Sequence, residues 1–144
     1  MLDPKELKVT ARWALAPGEE PSGLAIGMKN HRLFSVCGNK MMVVLDADSG
    51  KVLATPAIGE DADAAAFDPA TDLAFSSNGD GTLTVVHEES PSTFTVVQNV
   101  TTLRGARTMA LDLKTHNVFL PTANFEPVPE GAKDSPRPRP NMVP

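Results

Sequence analysis

Ala66-Phe67-Asp68-Pro69-Ala70-Thr71-Asp72-Leu73-Ala74-Phe75 decides how the rest of this 144-residue chain is read. An apolar step runs into Asp-Pro, a polar turn follows, and a second apolar run opens at Leu73. Asp and Pro favour turns for separate reasons: one bonds its own backbone, the other presets φ. The same pattern stands at Ala25-Ile26-Gly27-Met28-Lys29-Asn30-His31-Arg32-Leu33-Phe34 and at Ala110-Leu111-Asp112-Leu113-Lys114-Thr115-His116-Asn117-Val118-Phe119. The copies are offset by 41 and 44 residues. Each has Ala, a large apolar residue, Asp or Gly, and a closing Phe. A period of that length marks a row of like units.

Outward from the middle copy, short apolar runs alternate with turn residues. Ala64 to Phe67, Leu73 to Ser77, Thr82 to His87 and Phe94 to Val100 read as strands, with a hairpin at Asn78-Gly79-Asp80-Gly81. The first copy repeats the plan with Gly23 to Ile26, Arg32 to Val36, Met41 to Leu45 and Lys51 to Ile58. Its third run is rich in the large and β-branched residues that suit strands. Asp46-Ala47-Asp48-Ser49-Gly50 between the third and fourth runs is a turn, with Gly50 available for positive φ. No window combines a 3.6-residue period with capping residues, so little helix is expected. The expectation is all-β. Four short antiparallel strands per ~42 residues is the blade of a β-propeller, which closes with about four to eight blades.

Lys40-Met-Met-Val-Val-Leu-Asp-Ala-Asp-Ser-Gly-Lys-Val-Leu-Ala-Thr-Pro56 resembles the strand pair of the YVTN-type propeller repeats. Phe75-Ser76-Ser77-Asn78 stands where that family has its Tyr-Val-Thr-Asn signature. Phe34-Ser35-Val36-Cys37 and Phe119-Leu120-Pro121-Thr122 are degenerate forms of it. The Trp-Asp marker of WD40 propellers is absent. The resemblance covers about residues 5–123 and implies the fold; the family serves many uses, so it implies little about function.

The expected organisation is a partial β-propeller over 1–123 followed by a Pro-rich irregular tail over 124–144. Within the propeller we place an orphan strand at 7–15, blades at 22–58 and 63–100, and half a blade at 107–123. The orphan strand, Leu7 to Leu15, aligns with the fourth-strand segment Lys51 to Ile58. Seven of the 13 prolines lie from Pro121 onward, where missing N–H groups weaken any ladder. About 2.5 blades form an arc with exposed strand edges and apolar faces, which favours pairing with another chain. Two readings follow: the chain is part of a longer propeller, or it self-associates, two copies supplying about 22 strands, near six blades.

Composition excludes several classes. Acidic residues number 18 against 13 basic, a net charge of -5, the wrong sign for binding a nucleic-acid backbone. One cysteine, Cys37, makes no intrachain disulfide and reads as a packing residue. No apolar run approaches the ~20 residues of a membrane helix. Met1 to Thr10 is too charged for the apolar region of a signal peptide. The compartment is left unassigned, since the resemblance allows a periplasmic or extracellular setting for a longer parent.

No catalytic constellation emerges, no metal site is assigned and no cofactor is required. His31 and His116 share one repeat position with Asp72 between them, and with His87 they read as solvated turn or strand-end histidines. Asp46 to Gly50 starts like a calcium loop, but position six is Lys51 and position twelve Ala57, where Gly and Glu are needed. Asn78 to Gly81 lacks the helix and Lys of a phosphate loop. In a propeller the fourth-to-first and second-to-third strand loops share one face around the central channel. Those loops carry Glu19, Glu20, Glu60, Asp61, Asp63, Asn78, Asp80, Arg104 and Arg107, the candidate ligand-binding set. The expected function is a non-catalytic binding or interaction scaffold. The alternative is a metal-assisted lactonase or related hydrolase using Glu60, Asp63, Asn78 or Asp80, with calcium or magnesium as the cation suited to oxygen ligands.

Overall fold

The computed structural model describes residues 1–125 and 140–141. Its strands, in chain order, are β1 (Leu2–Asp3), β2 (Lys8–Val9), β3 (Pro21–Gly27), β4 (Arg32–Cys37), β5 (Met41–Asp46) and β6 (Val52–Ala54). They continue with β7 (Ala62–Asp68), β8 (Leu73–Asn78), β9 (Thr82–Ser90), β10 (Thr93–Thr101), β11 (Ala110–Asp112), β12 (Asn117–Phe119), β13 (Asn124–Phe125) and β14 (Pro140–Asn141). No helix occurs among the described residues. Two four-stranded antiparallel meanders, β3-β4-β5-β6 and β7-β8-β9-β10, are propeller blades 1 and 2, and the two-stranded β11-β12 is half a blade.

Register follows the repeat. Ala25 pairs Phe34, Ala66 pairs Phe75 and Ala110 pairs Phe119, so one Ala–Phe rung recurs in all three units. The next rung projects from the opposite face, because side chains alternate along a strand. It is Ile26–Leu33, Phe67–Ala74 and Leu111–Val118 in turn. The core therefore lies between blades. Phe34, Val36, Met42 and Val44 of blade 1 meet Phe67, Ala74 and Val86 of blade 2. The Phe34 ring stacks on Phe67 at 4.8 Å between centroids and meets Phe94 edge-on at 6.1 Å. Phe75, Leu83 and Val85 of blade 2 then meet Met109, Leu111, Val118 and Leu120 of the third unit. Blades 1 and 2 approach closely at Gly23, where a Cβ would stand 2.6 Å from the Ala65 backbone nitrogen.

The turns explain the histidines. His31, Asp72 and His116 all have positive φ, at 49°, 53° and 61°. Asn, Asp and His tolerate this region better than most residues, and the first-to-second strand turn demands it. His116, expected to be a solvated turn histidine, does more than face solvent. Its Nδ1 lies 2.7 Å from Oδ2 of Asp68, a carboxylate 1% exposed, and so ties the half-blade to blade 2.

Three segments differ from expectation. Within 7–15 only Lys8–Val9 is strand, and it pairs with Leu2–Asp3 instead of extending a blade. Trp13 crosses Gly50 so closely that no Cβ would fit there. Leu15 packs on the Cys37, Val43 and Leu45 cluster, giving blade 1 a partial outer cover. The fourth strand of blade 1 is only Val52–Ala54, with a further bridge from Met41 to Ala57. Pro56, which has no N–H, falls in the gap. In the tail, Asn124 pairs Asn141 and Phe125 pairs Pro140, a short ladder where irregular chain was expected. The rest of the expected tail, 126–139 and 142–144, lies outside the described residues.

Candidate functional site

The loops of the expected channel face are built by one repeated device. In units 1 and 2 the fourth-to-first strand loop is fastened to the second-to-third strand hairpin of the unit it opens. In unit 1 the Glu19 N–H donates to Asn39 Oδ1 (3.1 Å) and the Gly38 N–H to the Glu20 carbonyl (3.1 Å). In unit 2 the Glu60 N–H donates to Asp80 Oδ2 (2.8 Å) and the Gly79 N–H to the Asp61 carbonyl (3.0 Å). Glu20 and Asp61 reach these bonds at positive φ, 50° and 54°. Neighbouring units are then linked. Lys40 pairs with Glu60 across blades 1 and 2, and the Gly105 N–H donates to the Gly79 carbonyl (2.9 Å) across blade 2 and the third unit.

Much of the expected ligand set is spent in this fastening. Asn78 is 0% exposed. Its Oδ1 accepts from the Ser76 hydroxyl (2.8 Å), and its amide donates to Thr82 Oγ1 (3.0 Å) and Thr84 Oγ1 (3.1 Å). Asp80 accepts from the Thr82 hydroxyl (2.7 Å) as well as from Glu60. Burial pushes the Asp80 carboxyl up, but the Thr82 and Glu60 donors and the charge of Arg104 outweigh it, and it lies below its ordinary range. Asp63 accepts from the Thr108 hydroxyl (2.8 Å). The hydrogen bond and charge of Glu60 raise the Lys40 ammonium above its ordinary value. Among the described residues, no three His, Cys, Asp or Glu side chains gather to hold a metal ion. Glu60, Asp63 and Asp80 are accordingly not part of such a group, and the Asn78 amide is turned to Thr82 and Thr84.

Three of the nine residues do come together. Asp61, Arg104 and Arg107 line a depression of about 560 Å³ with Gly79, Gly105, Pro121, Thr122 and Ala123. Both arginines are exposed, and among the described residues neither makes an ion pair within 4.0 Å. Glu19, Glu20 and Glu60 are exposed on the loops but do not line the depression. Sequence reasoning missed Gly79 and 121–123 as lining. The signal was available in the repeat, since 120–123 follows β12 as Gly79 follows β8.

Elsewhere the turn and packing readings hold. The Asp46 carboxylate accepts from the Ser49 hydroxyl (2.7 Å), the Ser49 N–H (2.9 Å) and the Asp48 N–H (3.2 Å), which lower its pKa. Cys37 is 0% exposed, and burial pushes its thiol up against the lowering effect of hydrogen bonds with Ser35 and Val43.

Fold and loop geometry together define an arc of β-propeller blades. No family model matches the chain, and no curated protein matches it. Solved structures do. Hydrazine synthase of Kuenenia stuttgartiensis superposes with a TM-score of 0.65 at 12% identity, over 81% of this chain and 33% of that one. Sqt1 of Saccharomyces cerevisiae gives 0.58 at 7% identity, over 75% and 35%. A protein from Lactobacillus plantarum gives 0.54 at 25% identity, over 69% and 31%. The chain spans about a third of the length of each of these structures.

Proposed function

We propose that this chain is a non-catalytic binding scaffold of YVTN-type propeller repeats, and that it takes its ligand at the depression beside Arg104 and Arg107. One observation carries the reading: two exposed guanidinium groups flank a concave surface, while nearby groups with acid–base capacity are tied into loop hydrogen bonds. Guanidinium forks match carboxylate and phosphate geometry, so an anionic ligand suits the site. Asp61, which lines the same depression, would orient it by repulsion. A tetraglutamate peptide titrated against the full chain, followed by amide NMR shifts, tests this. Shifts should cluster at Gly79, Gly105 and Thr122 and vanish in Arg104→Ala/Arg107→Ala. Shifts scattered over both faces, or unchanged in the double variant, would remove the reading.

A further inference from the structure

The repeated rungs account for every buried blade face and leave two faces over. The forward rung, Ala–Phe, is covered in blade 1, where Phe34 is 0% exposed, and in blade 2, where Phe75 is 8% exposed. In the third unit the same residue, Phe119, is 58% exposed. The backward rung is covered in blade 2 (Phe67–Ala74) and in the third unit (Leu111–Val118). In blade 1 that rung is Ile26–Leu33, and its Ile26 side lies open while Leu33 is half-buried. Ile26 is 51% exposed and Leu24 beside it 63%. The opening is a depression of about 610 Å³ lined by Trp13, Leu15, Leu24, Ile26, Leu33 and Leu45, among others.

We propose that a second copy of this chain docks head to tail, the half-blade of one copy, led by Phe119, seating in the open face of blade 1 of the next. Three observations carry the choice of occupant. The open face is the face on which blade 2 receives blade 1, shifted back by 41 residues, so a surface of forward-rung type fits it. Such a surface stands uncovered at the other end of the same molecule. The two are also matched in extent. Trp13 and Leu15 already cover the outer part of the blade 1 face over Gly50 and Val43, leaving Leu24 and Ile26 of its innermost strand β3 exposed. The half-blade is two inner strands and, among the described residues, has no third or fourth strand beside β12. An aromatic anchor entering an apolar pocket is the usual energetic centre of an interface. Contacts of this heterologous kind close into a ring or extend as a chain, according to the rotation per copy.

The test is sedimentation of the 144-residue chain with variants that disable one end each. Wild-type chain should show a mass above the monomer that grows with concentration. Ile26→Asp (open face) and Phe119→Asp (half-blade) should each be monomeric alone, with self-association weakened by about tenfold or more. An equimolar mixture of the two should form a dimer and nothing larger, because one intact face and one intact half-blade remain. Both positions are more than half exposed, so the variants keep the strand signal in circular dichroism; Leu24→Lys is an independent disabling of the same face. A wild-type monomer at all concentrations, a single variant that still associates, or a mixture that stays monomeric would each overturn the proposal.

Discussion

The first three strands of blades 1 and 2 pair in the same register, yet the same corner of each blade is built from opposite chemistry. Cys37, Met41 and Val43 of blade 1 sit 41 residues before Asn78, Thr82 and Thr84 of blade 2. The first three belong to an apolar cluster under Leu15. The second three form a hydrogen-bonded network that also receives the Gly59 N–H at Thr84 Oγ1 (3.3 Å). In both blades a glycine of the incoming loop lies over the corner. A Cβ on Gly18 would stand 2.5 Å from a Val43 methyl and 2.7 Å from the Cys37 sulfur, and one on Gly59 would collide with Thr82. Backbone geometry is therefore fixed by the close approach of the loop, and side-chain chemistry is free to differ beneath it. An apolar corner suits a loop that packs; a polar one suits a loop whose N–H groups need acceptors.

The sharpest way to break the comparison is at the rung the blades share. Phe34→Ala empties a fully buried site between two complete blades and should cost about 3–5 kcal/mol. Phe75→Ala, at the equivalent place against only half a blade, should cost about 2–3 kcal/mol. Denaturant melts of the two variants give the order directly. Equal losses would mean that the half-blade packs as tightly as a whole one.

At the divergent corner the effects are smaller and unequal. Asn78→Ala leaves the Ser76, Thr82 and Thr84 hydroxyls without their common partner and should cost about 1–3 kcal/mol. Cys37→Ala removes one sulfur from an apolar cluster and should cost about 1 kcal/mol. A larger loss at Cys37 would show that packing, not hydrogen bonding, holds these loops.

How far this was legible in sequence depends on what each feature rests on. The period, the Ala–Phe rung and the Asn78-Gly79-Asp80-Gly81 hairpin are local patterns, and they appear where the pattern puts them. Topology alone also brought Asp61, Arg104 and Arg107 to one face. Asn78 was placed among the ligand candidates because a loop asparagine reads as polar surface. The contrary signal was present: Ser76, Asn78, Thr82 and Thr84 alternate along β8 and β9, a polar stripe on one blade face where blade 1 has Cys37 and Val43. The His116–Asp68 contact is out of reach of the sequence, since it joins two residues 48 apart in neighbouring units through a turn angle no motif reports. Likewise, nothing in Leu7 to Leu15 distinguishes a strand from a segment that lies over the blade, because both need alternating apolar side chains.

The next effect is on acid stability. Burial pushes Asp68 up, but hydrogen bonds from the Ala70 N–H, His116 and Thr71 outweigh it, so its carboxyl lies below the ordinary 3.8. A carboxyl lowered on folding contributes stability above its unfolded value and loses it as pH falls through the lowered one. Wild-type stability should therefore fall below about pH 4 in part through Asp68. Asp68→Asn should be less stable by about 1 kcal/mol at neutral pH and should lose less on acidification. Blade 1 has Gly27 at this position and no such titration, so hydrogen exchange followed against pH should show acid loosening the blade 2 turn before the blade 1 turn. Simultaneous loosening would remove the assignment to Asp68.

The smallest effect concerns the two hairpins. Lys40 and Gly81 occupy one repeat position, and both have positive φ, 62° and 96°. A side chain there meets the following carbonyl, a conflict that glycine avoids. Lys40→Gly relieves it, but gives the unfolded chain more freedom and removes the exposed pair with Glu60. An exposed ion pair contributes little, and the two backbone effects oppose each other, with strain relief the larger. The variant should therefore melt slightly higher than wild type in a thermal scan. A lower melting temperature would show that the Lys40–Glu60 link between blades outweighs the strain, and that blade 1 carries lysine where blade 2 carries glycine because its hairpin holds the neighbouring loop.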